Sequence, residues 1–140
     1  MFDLDSFLAE LTASTTETDP RRAAKEVVDK AMASAGKVAD AISPAVGGIS
    51  MLHHSSALTV INVGWAPGMQ VMPHDHRMWA IIGIYAGAED NQFFTRGEHG
   101  ELVERAGRRL DTGEVCVLGS DMADITRQFH DANLAVGLVP

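Results

Sequence analysis

One cysteine, Cys116, is all that the 140-residue sequence contains, which excludes an internal disulfide and any zinc site built on several thiolates. Basic residues are scarce too: 11 Lys and Arg stand against 19 Asp and Glu, a net charge of −8. Such a surface repels a phosphate backbone rather than neutralising it, so no nucleic-acid partner is expected. Long hydrophobic runs are missing. The longest starts at Met78 and ends before Glu89, well short of the ~20 residues a membrane-crossing helix needs. No basic start leads into an apolar stretch and a small-residue cleavage site, so the expected location is the cytoplasm, with no membrane association. Internal repeats and low-complexity tracts are absent as well. What is present is a globular composition, 46% hydrophobic and 21% charged, at a length suited to one domain.

Two patterns divide the chain, a helical segment over residues 1–48 and a β-barrel over residues 49–140. Phe2, Leu4, Phe7, Leu8 and Leu11 recur at helical spacing, and the polar run 14–19 ends that stripe. Asp19-Pro20 then supplies a capping carboxylate and a first-turn proline. The spacing of Ala24, Val27, Val28, Ala31, Met32, Ala35, Val38 and Ala39 predicts one helix running to Ser43-Pro44. Glu26 and Lys30 are placed to pair across one turn. Beyond residue 50, short runs rich in Val, Ile and aromatics (57–65, 69–76, 78–85, 91–95 and 114–118) alternate with glycine turns, the grammar of a mainly β barrel or sandwich. The charged region from Glu98 to Arg109 reads as a solvated hairpin face.

The histidine pair His74-Asp75-His76 is the strongest chemical signal. On a strand, residues two apart share a face, so His74 and His76 converge while Asp75 points away. Pro73 withholds a ladder donor just before the pair and favours a strand end. By spacing alone, a metal chelate and two loop histidines are equally good readings.

The surroundings of the pair carry a resemblance. Gly68, five residues, His74-x-His76 and a later Gly87 resemble the first motif of the cupin superfamily. The glutamate that most cupins place four or five residues after the second histidine is replaced here by Ala80 and Ile81. That departure is similar to the thiol dioxygenases related to cysteine dioxygenase, and the stretch from His74 to Asn91 resembles a bacterial cysteine-dioxygenase-like group of metal-dependent cupins. The resemblance implies a double-stranded β-helix barrel with an N-terminal helical segment. It also implies a non-haem Fe(II) centre and addition of O2 to a small thiol. No Cys–Tyr crosslink is implied, because Ala80 holds the cysteine position. The second family motif fits over Gly113–Asp121, but its histidine would fall near Asp124 to Thr126, where none stands.

Two histidines and one carboxylate form the facial triad of non-haem iron oxygenases, so Asp124 is the expected third ligand. His130, or no third ligand at all, are the alternatives. Arg77 is placed to bind a substrate carboxylate or to form a rim ion pair. Other readings are a Zn(II) or Mn(II) cupin of isomerase or hydrolase type, and a non-enzymatic barrel lacking the third ligand. His53 and His54, adjacent on a strand, are expected to be exposed, and His99 to sit solvated at a hairpin tip. Trp79 and Tyr85 are expected in the core or a pocket wall, and Cys116 as a buried, inert thiol. The chain ends at Pro140, before the final strands such barrels usually have, which reads either as a shortened member or as a change of reading frame near Ile125; a shortened barrel is expected to have an open last edge. Its apolar tail from Leu134 to Val139 is then a barrel strand or a homodimer contact. A less enclosed pocket in turn implies weak thiol dioxygenation.

Overall fold

The computed structural model describes residues 1–42, 48–65, 74–75, 79–118, 123–128 and 131–138, and for 48, 65, 74–75, 95–96, 106, 123–128 and 131–138 the backbone alone. Helix α1 (Leu4–Ser14) starts where Asp3 accepts hydrogen bonds from the backbone N–H of Asp5 at 3.0 Å and Ser6 at 3.4 Å. It buries Phe7, Leu11 and Ser14, one face at helical spacing. Helix α2 (Pro20–Met32) has its capping Asp19 on the N–H of Arg22 at 3.2 Å and buries Ala24, Val28, Ala31 and Met32.

The single helix expected beyond Asp19 is in fact two. Ala33 and Ser34 form a turn, and α3 (Ala35–Ala41) follows with Ala35 and Val38 buried. The apolar stripe crosses this turn without interruption, so helical spacing alone does not reveal the break; Ser34 at the cap position and Gly36 just after it are the local marks. Lys30 also differs from expectation. It pairs with Glu10 of α1 at 3.1 Å, while Glu26 pairs with Arg22 at 3.5 Å.

Among the described residues nine strands follow: β1 (Gly48–His54), β2 (Leu58–Trp65), β3 (His74–Asp75), β4 (Trp79–Ala86), β5 (Ala88–Arg96), β6 (Leu102–Asp111), β7 (Val115–Leu118), β8 (Ala123–Gln128) and β9 (Asp131–Leu138). They form a five-stranded sheet ordered β1-β2-β9-β4-β7 and a four-stranded sheet ordered β3-β8-β5-β6, with antiparallel pairing throughout. β9 lies between β2 and β4 and is no edge. The expected open last edge is therefore corrected: the apolar tail is a barrel strand.

β4 explains the uninterrupted apolar run of the sequence, because it is buried on both faces. Ile81 and Tyr85 face the helices with Leu58 and Val60, while Ala80, Ile82 and Ile84 join Leu110, Cys116 and Leu118 in a second cluster. At Gly83 a side chain would have no room, since a Cβ would stand 2.7 Å from Met32 Cγ of α2. β5 and β6 form a hairpin closed at Gly97 N–H to Glu101 C=O, 2.8 Å, with Gly100 at φ +80°. Its outer residues Glu98, Glu101, Glu104, Arg105, Arg108 and Arg109 are exposed, as a solvated hairpin face requires.

Candidate metal centre

The two-residue strand β3 positions His74. It pairs with β8 so that His74 stands opposite Asp124 and Asp75 opposite Ala123. β8 pairs on its other side with β5, where Asp124 stands opposite Phe93. His74, Asp124 and Phe93 thus form one row across three strands. Directly opposed antiparallel positions share a face, with Cα atoms about 4.5–5.5 Å apart. Phe93 packs against the cluster of Ala80, Ile82, Ile84, Leu110, Cys116 and Leu118 that lies between the sheets, which identifies the inner face. Two residues far apart in sequence, His74 and Asp124, are brought into register there. His76, Arg77 and His130 lie outside the described residues, as does most of the strand expected over 69–76.

The wall opposite this row is apolar. Ala80, Ile82 and Ile84 of β4 stand on it, while Ile81 faces the helices; neither Ala80 nor Ile81, at the positions where most cupins carry a glutamate, has a donor atom for a metal. Among the described residues no group of three or more His, Cys, Asp or Glu is placed to hold a metal ion.

The remaining candidates separate cleanly. Cys116 is buried in the inner cluster. His99 is exposed at the hairpin tip. His54 is exposed and its Nδ1 lies 3.0 Å from Thr59 Oγ1. His53 departs from expectation: it is half-buried, and its Nε2 is shielded with no hydrogen-bond partner among the described residues. The irregularity between Met51 and His53 in β1 seats His53 opposite the buried Val60. Trp79 and Tyr85 belong to the layer under the helices, so they are core and not pocket wall. Arg21 of α2 caps the Trp79 ring, its guanidinium carbon 3.6 Å from the centroid.

Tyr85 donates its hydroxyl to the buried Asn62 Oδ1 at 2.5 Å. Burial pushes the phenol up to about 12, against a smaller lowering from the Asn62 hydrogen bond. The unfolded chain releases that proton near its ordinary value of 10.0, so the folded state holds it more tightly over the interval between. This stabilisation is complete below pH 10.0 and is lost as pH rises towards about 12. Tyr85→Phe is expected to flatten that alkaline decline in a urea-unfolding series, and at neutral pH to destabilise by ~1–3 kcal/mol by stranding Asn62.

Two residues that sequence reasoning passed over stand on the same inner face. Glu89 and Asn91 of β5 are 1% and 4% exposed, and Asn91 Nδ2 donates to Glu89 Oε2 at 3.1 Å. The available signal was the period-two series Glu89, Asn91, Phe93, in which a charged residue occupies an inward position.

This architecture has well-matched counterparts among solved proteins. A cupin superfamily protein from Desulfitobacterium hafniense superposes with a TM-score of 0.59 at 12% identity, over 74% of this chain and 88% of the other. The fold is a cupin-type double-stranded β-helix preceded by helices. An RmlC-like cupin with a double-stranded β-helix fold from Methanocaldococcus jannaschii matches at TM-score 0.54 and 8% identity, over 66% of this chain and 79% of that one. The DMSP lyase DddQ from Ruegeria pomeroyi matches at 0.52 and 21%, over 65% of this chain and 46% of that one. No family model matches the chain. Identities this low establish a shared cupin fold and leave the chemistry to the residues of the site.

Proposed function

We propose that this cupin is a metal-dependent oxidoreductase of the thiol dioxygenase type, with one Fe(II) held by His74, His76 and Asp124. The observation that carries the reading is the backbone register of His74 with Asp124 on the inner face. Two imidazoles and one carboxylate leave open positions for exogenous ligands, the donor set of non-haem iron oxygenases. An Fe(II) held by these residues would supply the redox chemistry for adding O2 to a small thiolate. Ala80, Ile82, Ile84 and Leu118 belong to the apolar cluster against which Phe93 of the same row packs, a setting that would keep water from a site there. Arg77 is proposed to hold a substrate carboxylate bidentately.

A second reading keeps the metal and changes the chemistry. The same donors accept Zn(II) or Mn(II), and the likeness to a DMSP lyase is a likeness to a protein that cleaves rather than oxidises. Elemental analysis of the purified protein separates the two. Iron, together with oxygen uptake dependent on cysteine, cysteamine or 3-mercaptopropionate, supports the first. Zinc or manganese with no uptake supports the second.

Asp124 gives a sharper test of the ligand set. Asp124→Ala is expected to weaken metal binding by more than about tenfold, the lower bound for loss of even an outer-shell partner. Asp124→His, which restores a donor, is expected to retain it. Equal affinity in all three proteins, measured by competition with a chromophoric chelator, would remove Asp124 from the site.

A further inference from the structure

β8 is an unusual strand for the inside of a barrel. Its alternate residues Asp124, Thr126 and Gln128 fall opposite Phe93, Asn91 and Glu89 of β5. Glu89 in turn stands opposite Leu110 of β6, and both are buried, at 1% and 0% exposure. The inward set of β8 positions therefore contains no apolar residue. Register is normally fixed by burying one set of alternate apolar side chains, and a one-residue slip exchanges the faces. β8 has no such set to hold it. What faces it from β5 is the buried carboxylate–carboxamide pair of Glu89 and Asn91, both of which make further interactions besides their own 3.1 Å hydrogen bond. A buried carboxylate is costly unless satisfied, and specifying register is the best-attested use of such groups.

We propose that Glu89 and Asn91 are positioning residues for the metal centre, locking β8 against β5 in the one register that sets Asp124 opposite His74. The inference rests on reading Asp124 as a ligand. A slip of one residue would present Ala123 or Ile125 to His74 and remove the carboxylate from the row.

Two measurements on the full chain test this, one of them independent of metal. In a Cys116→Ser background, Gln92→Cys and Ile125→Cys place thiols at opposed positions of β5 and β8. Oxidation should crosslink them efficiently with Glu89 present or with Glu89→Gln. With Glu89→Leu the yield should fall. Crosslinks should then appear in the slipped pairs, Gln92→Cys with Asp124→Cys and Gln92→Cys with Thr126→Cys. In chains without added cysteines, Co(II) titration followed by visible absorption should show Glu89→Leu weakened about tenfold or more, with an altered spectrum. Glu89→Gln should remain near wild type. Should Glu89→Leu not fold, Asn91→Leu serves the same comparison.

Glu89→Leu that keeps both the 92–125 crosslink and wild-type Co(II) binding would overturn the proposal. So would equal losses of affinity in the Leu and Gln variants with the register intact, which would indicate a charge effect. Wild-type protein that takes up no Co(II) would defeat the metal reading, while the crosslinks would still decide the register lock.

Discussion

Protein purified with His74→Ala and His76→Ala together is expected to carry no stoichiometric metal, and the wild type is expected to carry one ion per chain. The expectation rests on the proposed ligand set, in which this pair would supply two of three protein donors. Removing both leaves a lone carboxylate, which holds a transition metal far more weakly than an imidazole-containing set. Elemental analysis gives the ratio, and thermal unfolding with and without added Fe(II) gives a second readout. Metal that binds the folded state raises the wild-type midpoint by mass action, and the double variant should show no such rise. Equal metal content in the two proteins would refute the site.

The largest loss of stability is expected from Ile81→Ala. Ile81 is fully buried at the centre of β4, between Val117 of β7 and Val136 of β9 in register and under the helices. Truncating such a side chain removes its transfer free energy and leaves a cavity that a strand paired on both sides does not collapse to fill. Changes of this kind cost ~2–5 kcal/mol. At ~2–4 °C per kcal/mol for a domain of this size, the midpoint should fall by about 10 °C. Ile49→Ala, at a position 68% exposed, is the control and should lie within ~0.5 kcal/mol of wild type. Comparable losses at both positions would mean that β4 is not the layer on which the molecule depends.

Much of this organisation is legible in the sequence, for identifiable reasons. Asp19-Pro20 marks a helix start because the cap and the fixed proline torsion are local properties. The unbroken apolar run over β4 is legible because double burial leaves no polar face. The turn at Ala33–Ser34 is less so, since the apolar stripe runs straight through it, α3 packs on β4 beyond it, and Ser34 and Gly36 are its weak local marks. β8 escapes notice because alternation of Asp, Thr and Gln with Ala, Ile and Arg carries no apolar contrast, the usual mark of a half-buried strand. At the site, spacing singles out His74 with His76 because the signal is two residues long. The approach of Asp124 to His74 is a fact of long-range register that no short window contains.

The place of β9 has a consequence for how the chain reaches this state. Leu58 ends up opposite Leu138, and Trp79 lies opposite the same residue from the other side. Neither β2 nor β4 can complete its backbone pairing on that side until β9 has emerged from the ribosome. Synthesis therefore passes through a stage in which two apolar strands are made and their central neighbour is not. Contacts so distant along the chain form slowly, because loop closure precedes any gain. During that interval β2 and β4 present open ladders able to recruit a strand from another nascent chain. Helices α2 and α3 precede these strands in the chain and pack on β4, so its apolar face can be covered before β9 is made while its ladder stays open.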